Sequence, residues 1–222
     1  MYRQVKMMKE QVKAILEELI TRYPALASER DAVAEAYGIM KNCYDHGGKL
    51  LIAGNGGSCA DSEHIVGELM KGFCKKRPLP ASLLSRIASA DPDPDEKLSS
   101  KLQQGLPAIA LTAHNALSTA FVNDVDAEYA FAQQILGYGR PGDVFLGITT
   151  SGNSKNILRA AAVAKALDLS VIALTGRDGG RIRSLADCAV IVPEQETFKI
   201  QELHLPVYHA LCLMLEETYF SE

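Results

Sequence analysis

The 222-residue sequence contains no tryptophan, and only 6% of its residues are aromatic. It also lacks an apolar run of about 18 residues, which a membrane-spanning helix requires. The charged amino-terminal stretch MYRQVKMMKEQVK lacks the apolar centre of a secretory signal peptide. We therefore expect the protein to be retained in the cytoplasm.

Cysteine pairs and strong charge are also missing. The five cysteines are odd in number and include no CxxC motif, which argues against a disulfide framework and against a cysteine-based zinc site. The net charge of −4 gives no electrostatic reason to expect binding to nucleic acid or to an anionic membrane. The sequence contains neither GxGxxG nor GxxxxGK[ST], so dinucleotide and P-loop nucleotide sites are poorly supported.

What the chain does contain is an alternation of apolar runs and helical patterns. Hydrophobic residues make up 47% of the chain and charged residues 23%, as in an ordinary globular protein. Five short apolar runs predict five strands, at residues 49–53, 107–111, 143–149, 170–175 and 189–192. Helical patterns separate them, for example at 126–136 and 154–167, and a final helix covers about 200–219. This order predicts an α/β fold with a parallel sheet covered by helices on both faces.

Two further segments surround this predicted core. Residues 1–45 predict an amino-terminal helical extension, with helices at about 2–23 and 28–43. These helices could cap their own chain or pack against a partner subunit. Residues 79–105 predict an inserted, solvent-exposed loop, because the alternating prolines in 91–96 break both helix and sheet; an active-site lid is the alternative. The whole chain, 1–222, is expected to form a single domain.

A glycine-rich turn follows the first predicted strand. The sequence from Gly54 reads GNGGS, and its glycines can take positive φ and bring bare backbone N–H groups together. Ser58 is predicted to cap the following helix. Such a turn at a helix amino terminus is suited to bind an anion.

The helix after this turn carries His64 and Glu68. Their spacing of four residues places them on one face, about 6 Å apart along the axis. The pair predicts acid–base or metal chemistry beside a phosphate site, although a solvated surface pair is the alternative.

A second polar turn follows the strand at 143–149. Its hydroxyl side chains surround Gly152 and are suited to bind another anion; they belong to Thr149, Thr150, Ser151 and Ser154. Ligands of open α/β sheets lie outside the carboxyl ends of the strands, so both turns should open onto one edge. Between them, Asn123 and Asp124 are interpreted either as sugar-hydroxyl ligands or as a turn.

The last predicted helix carries Gln201 and His209. Eight residues separate them, which is about 12 Å and roughly 80° on a regular helix. One metal ion could not easily bind both from the same straight helix. Either the helix begins irregularly, or the two side chains reach a site from different subunits.

Taken together, these motifs are similar to those of a known family. GNGGS, the His-x-x-x-Glu helix, TTSGNS, LTGRDGG and KIQELHLPVYH resemble the phosphoheptose isomerase branch of the sugar isomerase (SIS) domain proteins, in the same order and over nearly the whole chain. The resemblance implies a flavodoxin-like three-layer αβα sandwich. It also implies a homotetramer with active sites at subunit interfaces and conversion of sedoheptulose 7-phosphate to D-glycero-D-manno-heptose 7-phosphate through an enediol.

The resemblance also implies roles for individual residues. Glu68 and His209 would be the catalytic acid–base pair, with either role open to each. The implied zinc ligands are His64, Glu68, Gln201 and His209. The implied substrate-binding residues are Asn55, Gly56, Gly57, Ser58, Asn123, Asp124, Thr149, Thr150, Ser151, Ser154 and Gln201.

Three departures from the family pattern leave the identity of the sugar substrate undecided. The family usually has Gly-Arg-aromatic after the catalytic helix, where this chain has Lys71-Gly72-Phe73. Phe198-Lys199 replaces a small or acidic residue followed by Arg, and the segment around Asp91 is longer than usual. The alternatives are a non-catalytic SIS protein of the DnaA-associating type and a sugar-phosphate sensor. The DnaA-associating proteins lack the catalytic Glu and His that this chain retains.

Overall fold

The centre of the fold is a five-stranded parallel sheet. The structure, a computed structural model, describes residues 8–93 and 101–220. The strand order is β2-β1-β3-β4-β5, and β1 pairs in parallel with both β2 and β3. The strands are β1 Leu50–Gly54, β2 Ala108–Ala110, β3 Val144–Thr149, β4 Ser170–Thr175 and β5 Cys188–Ile191. The sequence-based prediction of five parallel strands is therefore confirmed.

Eight α-helices are described around the sheet. They are α1 Glu10–Arg22, α2 Arg30–Asp45, α3 Gly57–Met70, α4 Ala81–Ala90, α5 Asn115–Asp124, α6 Ala130–Tyr138, α7 Lys155–Ala166 and α8 Thr197–Phe220. Short 3-10 helices cover Pro24–Glu29, Ala127–Tyr129 and Arg181–Ser184. None of these described helices combines the length and the apolar character that crossing a membrane would require.

Two apolar cores lie on opposite faces of the sheet, because both faces of each central strand are buried. One core joins the sheet to α1, α2, α3 and α8. The other joins it to α6 and α7. Strands buried on both faces read as continuous apolar runs rather than alternating ones, as β1 and β3 do. The result is a three-layer αβα sandwich, which confirms the helix-covered parallel sheet predicted from the sequence and the sandwich implied by the resemblance.

The amino-terminal helices belong to the first of these cores. Val12, Leu16 and Leu19 of α1 are buried within it, and α1 packs against α8 while α2 packs against β5. Capping of the chain's own core is thus one use of these helices. Residues 1–7 of the predicted first helix lie outside the described part.

Two local predictions differ from the structure. The segment 79–105, predicted to be a loop, contains the helix α4, Ala81–Ala90; residues 94–100 lie outside the described part. Residues 121–124, one interpretation of which was a turn, form the end of α5. Neither α4 nor α5 buries a side chain within the chain. In α4 the apolar residues Leu83, Leu84 and Ile87 do have helical spacing, but the proline-containing run beside them led to the loop prediction.

Candidate active site

The glycine-rich turn after β1 contains glycines whose Cα atoms lie close to other parts of the chain. A Cβ atom at Gly54 would lie 2.3 Å from the backbone oxygen of Ser58, so only glycine fits there. Gly56 has φ +58° and stands at the N-cap position, and α3 begins at Gly57. The prediction that Ser58 caps the helix is wrong. Ser58 is buried inside the first turn, because the positive φ of Gly56 lets the helix begin earlier.

The second turn is built against the glycines of LTGRDGG. Gly152 has φ +67°, and a Cβ atom there would lie 2.0 Å from the oxygen of Gly179. The backbone N–H of Ile182 donates to Gly152 at 3.0 Å. The hydroxyls of Thr149 and Ser154 are 3.0 Å apart. The close approach explains why Gly179 and Gly180 follow β4, a reason that the sequence alone did not supply.

The two turns meet at the same edge of the sheet, as predicted. They follow β1 and β3, which are neighbours and form the point where strand order reverses, the usual ligand crevice of such sheets. The side-chain amides of Asn55 and Asn156 bond reciprocally, at 3.0 and 2.8 Å. Asn156 was missed by the sequence analysis, because only the adjacency of β1 and β3 reveals its partner.

The predicted catalytic side chains also meet. His64 Nε2 lies 3.2 Å from Glu68 Oε1 and 3.5 Å from His209 Nε2. Glu68 is 13% exposed at its side chain and His64 41%. Residues from α3 and α8, far apart in the sequence, are therefore brought to one cluster, which we call the His64 cluster (His64, Glu68 and His209).

Four residues around the His64 cluster were not predicted as site residues. Tyr208 lies between Asp61 and His64, with its hydroxyl 3.2 Å from Asp61 Oδ1 and 3.0 Å from His64 Nδ1. Lys71 donates to Glu68 Oε2 at 2.8 Å. The Phe73 ring packs on His209 with centroids 5.4 Å apart. Asp61 could have been predicted from the sequence, because it lies three residues before His64 and therefore on the same face of the helix.

Burial and the other two members of the cluster shift the pKa of His209. Burial lowers the pKa of His209 below its ordinary value, the adjacent His64 lowers it further, and Glu68 partly opposes the change. The His209 imidazole is therefore neutral at pH 7, with one nitrogen donating and the other accepting. Such a group can either give or take a proton.

Gln201 lies elsewhere, at the first turn of α3. A Cβ atom at Gly57 would lie 2.5 Å from Gln201 Nε2, so the amide packs on the bare backbone of that glycine. Gly57 precedes His64 by seven residues, about 10 Å along a helix. The structure thus places Gln201 at the glycine-rich turn, and Pro206 lies between Gln201 and His209 within α8.

Asn123 and Asp124 lie in the last turn of α5 and are exposed. The Asn123 amide donates to Asp124 Oδ1 at 2.8 Å. No contact of either side chain with the His64 cluster is found within the described residues.

The predicted metal set is brought together only in part. The separations of 3.2 and 3.5 Å around His64 Nε2 are close to the spacing of about 3.4 Å between ligands of a tetrahedral zinc ion with bonds of about 2.1 Å. Imidazole and carboxylate are also suitable zinc donors. However, over residues 8–93 and 101–220, no three or more His, Cys, Asp or Glu side chains form a group that could hold a metal ion.

Comparison with known proteins identifies the family. A model of the SIS domain family matches residues 9–104 and 98–176. The chain belongs to the SIS domain family. Phosphoheptose isomerase of Helicobacter hepaticus is 38% identical over 83% of this chain and 81% of its own length. That of Geotalea daltonii is 39% identical over 90% of this chain and 86% of its own.

A solved structure agrees with this SIS domain assignment. Phosphoheptose isomerase GmhA from Neisseria gonorrhoeae is 33% identical, with a TM-score of 0.71 over 94% of this chain and 98% of its own. The resemblance to the phosphoheptose isomerase branch that the motifs indicated is confirmed.

Proposed function

We propose that the protein is a phosphosugar isomerase that converts sedoheptulose 7-phosphate to D-glycero-D-manno-heptose 7-phosphate. The observation that carries this proposal is the meeting of Glu68 and His209 beside His64, on the helix that begins at an anion-binding turn. Relatives named phosphoheptose isomerase, 38–39% identical, support the same substrate.

The reaction requires two proton-transfer groups. One removes a proton from C1 of the ketose as the C2 carbonyl oxygen gains a proton, which produces an enediol. The proton is then returned to C2 while the C1 hydroxyl is deprotonated, which leaves an aldose. We assign these transfers to Glu68 and His209. The carboxylate of Glu68 is an acceptor held by Lys71, and the neutral imidazole of His209 can both donate and accept.

The two polar turns are assigned to substrate binding. The hydroxyls of Thr149, Ser151 and Ser154 are suited to a phosphate, because hydrogen bonds to a dianion are stronger than those to neutral groups. Asn55 and Gln201 lie at the neighbouring first turn and are assigned to the sugar hydroxyls.

The catalytic assignment is tested with two variants. Glu68→Gln and His209→Ala should each lower kcat by at least about 100-fold, because each removes a proton-transfer group without emptying a large volume of the core. Production of aldose phosphate from sedoheptulose 7-phosphate is the measurement, and circular dichroism checks the fold.

Shorter ketose phosphates, with five and six carbons, serve as the substrate control. Turnover within about threefold of the wild type in both variants would contradict the catalytic roles. A wild-type chain that binds the sugar phosphates without turnover would instead favour the sensor alternative.

We further propose that the His64 cluster holds zinc. The ligands would be His64, Glu68 and His209 after their side chains rearrange, because as placed they do not form a group that could hold a metal ion. Gln201, the fourth ligand that the resemblance implies, lies at Gly57, about two helical turns of α3 from His64. A zinc ion bound there would supply a Lewis acid that polarises the substrate carbonyl.

This metal assignment has a readout that does not depend on activity. After equilibration with zinc and removal of excess metal, elemental analysis should find zinc in the wild type and much less in His64→Ala. His46→Ala, which changes an exposed histidine of α2's end, is the control and should retain the metal. Equal zinc contents in wild type and His64→Ala would contradict the assignment.

A further inference from the structure

A fully buried ion pair lies behind the His64 cluster. Arg77 and Glu216 contact each other at 2.9 Å, and their side chains are 0% and 1% exposed. Arg77 also lies over the ring of Phe220, at 4.5 Å from its centroid. Burying two charges is costly unless both are well hydrogen-bonded, so the remaining bonds of this pair are informative.

The Arg77 side of the pair binds the end of α3. Its Nη1 donates to the backbone oxygen of Leu69 at 2.6 Å, and its Nη2 donates to that of Glu68 at 3.0 Å. The last carbonyls of a helix have no partner within the helix, and a cation is favoured there by the helix dipole. Arg77 thus caps α3 at the residue whose carboxylate we assign to catalysis.

The Glu216 side of the pair binds the chain after α3. Its carboxylate accepts from the backbone N–H groups of Phe73 and Cys74, each at 2.8 Å, and of Lys75 at 3.2 Å. Glu216 belongs to α8 and follows His209 by seven residues, which is about 10 Å and nearly the same face. Phe73, whose N–H it binds, places its ring against His209.

The two sides together connect the two catalytic elements. We propose that Arg77 and Glu216 are positioning residues that hold Glu68 on α3 in register with His209 on α8. This inference rests on the proposed isomerase function. Both side chains are buried away from the surface, so each acts through backbone groups and through Phe73.

A second ion pair, whose carboxylate is buried, provides the control. Lys49 and Asp143 contact at 2.6 Å, and Asp143, 3% exposed at its side chain, also accepts from the backbone N–H groups of Lys49 and Arg140. This pair lies just before β1 and β3, and the hydrogen bonds of Asp143 described above go to Lys49 and Arg140, not to a member of the His64 cluster. Its loss should cost stability without moving the catalytic residues.

The kinetic test compares Glu216→Gln with Asp143→Asn. Glu216→Gln should lower kcat by about tenfold or more, because a misplacement near 1 Å can cost that much, while KM changes less than about threefold. Asp143→Asn should keep kcat within about twofold of the wild type at a temperature where both are folded. Equal effects of the two variants on kcat would overturn the proposal.

A double variant separates positioning from stability. Arg77→Met with Glu216→Met removes both charges, so that neither is left buried without its partner, and urea denaturation measures the stability that remains. We expect this double variant to fold and to retain a kcat below that of the wild type. Wild-type kcat in the double variant would overturn it.

A spectroscopic readout keeps this test independent of the isomerase assignment. The chain has five histidines, so the imidazole NMR signals can be assigned by single substitutions. The signals of His209 should shift in Glu216→Gln, because the Phe73 ring moves, and should stay unchanged in Asp143→Asn. Unchanged His209 signals in Glu216→Gln would overturn the proposal. An inactive wild type that shows the expected shifts would contradict only the proposed reaction.

Discussion

His204 is a histidine that the proposed chemistry does not use. It is fully buried in α8, and within the described part of the chain neither ring nitrogen has a hydrogen-bond partner. Burial lowers its pKa from 6.5 to about 4, and the nearby backbone of Thr175 only partly offsets this. The folded protein therefore holds this ring neutral where an unfolded chain would protonate it.

This residue should make the protein sensitive to mild acid. The unfolded state binds more protons between pH 6.5 and 4, so stability is fully present above pH 6.5 and is lost as the pH falls toward 4. The expected loss from His204 is about 2 kcal/mol at pH 5. In His204→Leu, the difference in free energy of unfolding between pH 7 and pH 5 should shrink by that amount, measured by urea denaturation.

The exposed His46 is the control for this measurement. His46→Leu should show the same difference between pH 7 and pH 5 as the wild type. Parallel stability–pH curves for the wild type and His204→Leu would contradict the neutral, buried state of His204.

At the scale of one element, α3 combines the first turn and the His64 cluster. Two of its glycines meet different surroundings. A Cβ atom at Gly57 would approach Gln201 Nε2 to 2.5 Å, whereas one at Gly67 would meet nothing within 4 Å. Substitution by alanine at these two positions therefore distinguishes the effect of helix propensity, which both share, from the effect of a contact with Gln201, which only Gly57→Ala has.

Gly57→Ala should displace the Gln201 amide from the substrate turn. Because this amide ends a flexible side chain, the fold should survive. KM for the sugar phosphate should rise by about threefold or more, as expected when a binding contact is lost. Steady-state kinetics is the measurement.

Gly67→Ala is the matched control on the same helix. It should raise the free energy of unfolding by about 0.5–1 kcal/mol, because alanine is the better helix former, and leave KM unchanged. A wild-type KM in Gly57→Ala as well would contradict the assignment of Gln201 to substrate binding.

At the scale of the whole molecule, α4 and α5 bury no side chain within the chain. Large apolar side chains remain exposed on and after α5, including Val122 at 53% and Val125 at 63%. Exposed apolar surface of this kind is typical of protein interfaces. We propose that these helices face other copies of the chain in a homotetramer.

Light scattering tests this assembly. The wild type should have a mass several times that of the 24.0 kDa chain, and Val122→Asp should shift the population toward smaller species, because it places a charge in an apolar contact. Ala162→Asp, at an exposed position of α7, is the control and should leave the mass unchanged. An active wild-type monomer would contradict the proposal.

Much of this fold could be predicted from the sequence because its signals are local. The apolar runs that became β1 and β3 are buried on both faces, so their composition alone indicated strands of a parallel sheet. The helices with an apolar stripe, such as α2, were predicted within a few residues. By contrast, α4 and α5 bury nothing in this chain. The apolar stripe of α4 was visible in the sequence, but the alternating prolines that follow it outweighed this signal in the prediction.

The candidate site was also partly visible in the sequence. The four-residue spacing of His64 and Glu68 already placed both on one helical face, and the glycines after β1 already indicated an anion-binding turn. Only tertiary structure decided the rest, because the deciding contacts join residues distant in sequence. His209 meets His64 across 145 positions, and Arg77 meets Glu216 across 139. Gln201 lies at Gly57 because α8 crosses the start of α3, which no spacing within either helix could determine.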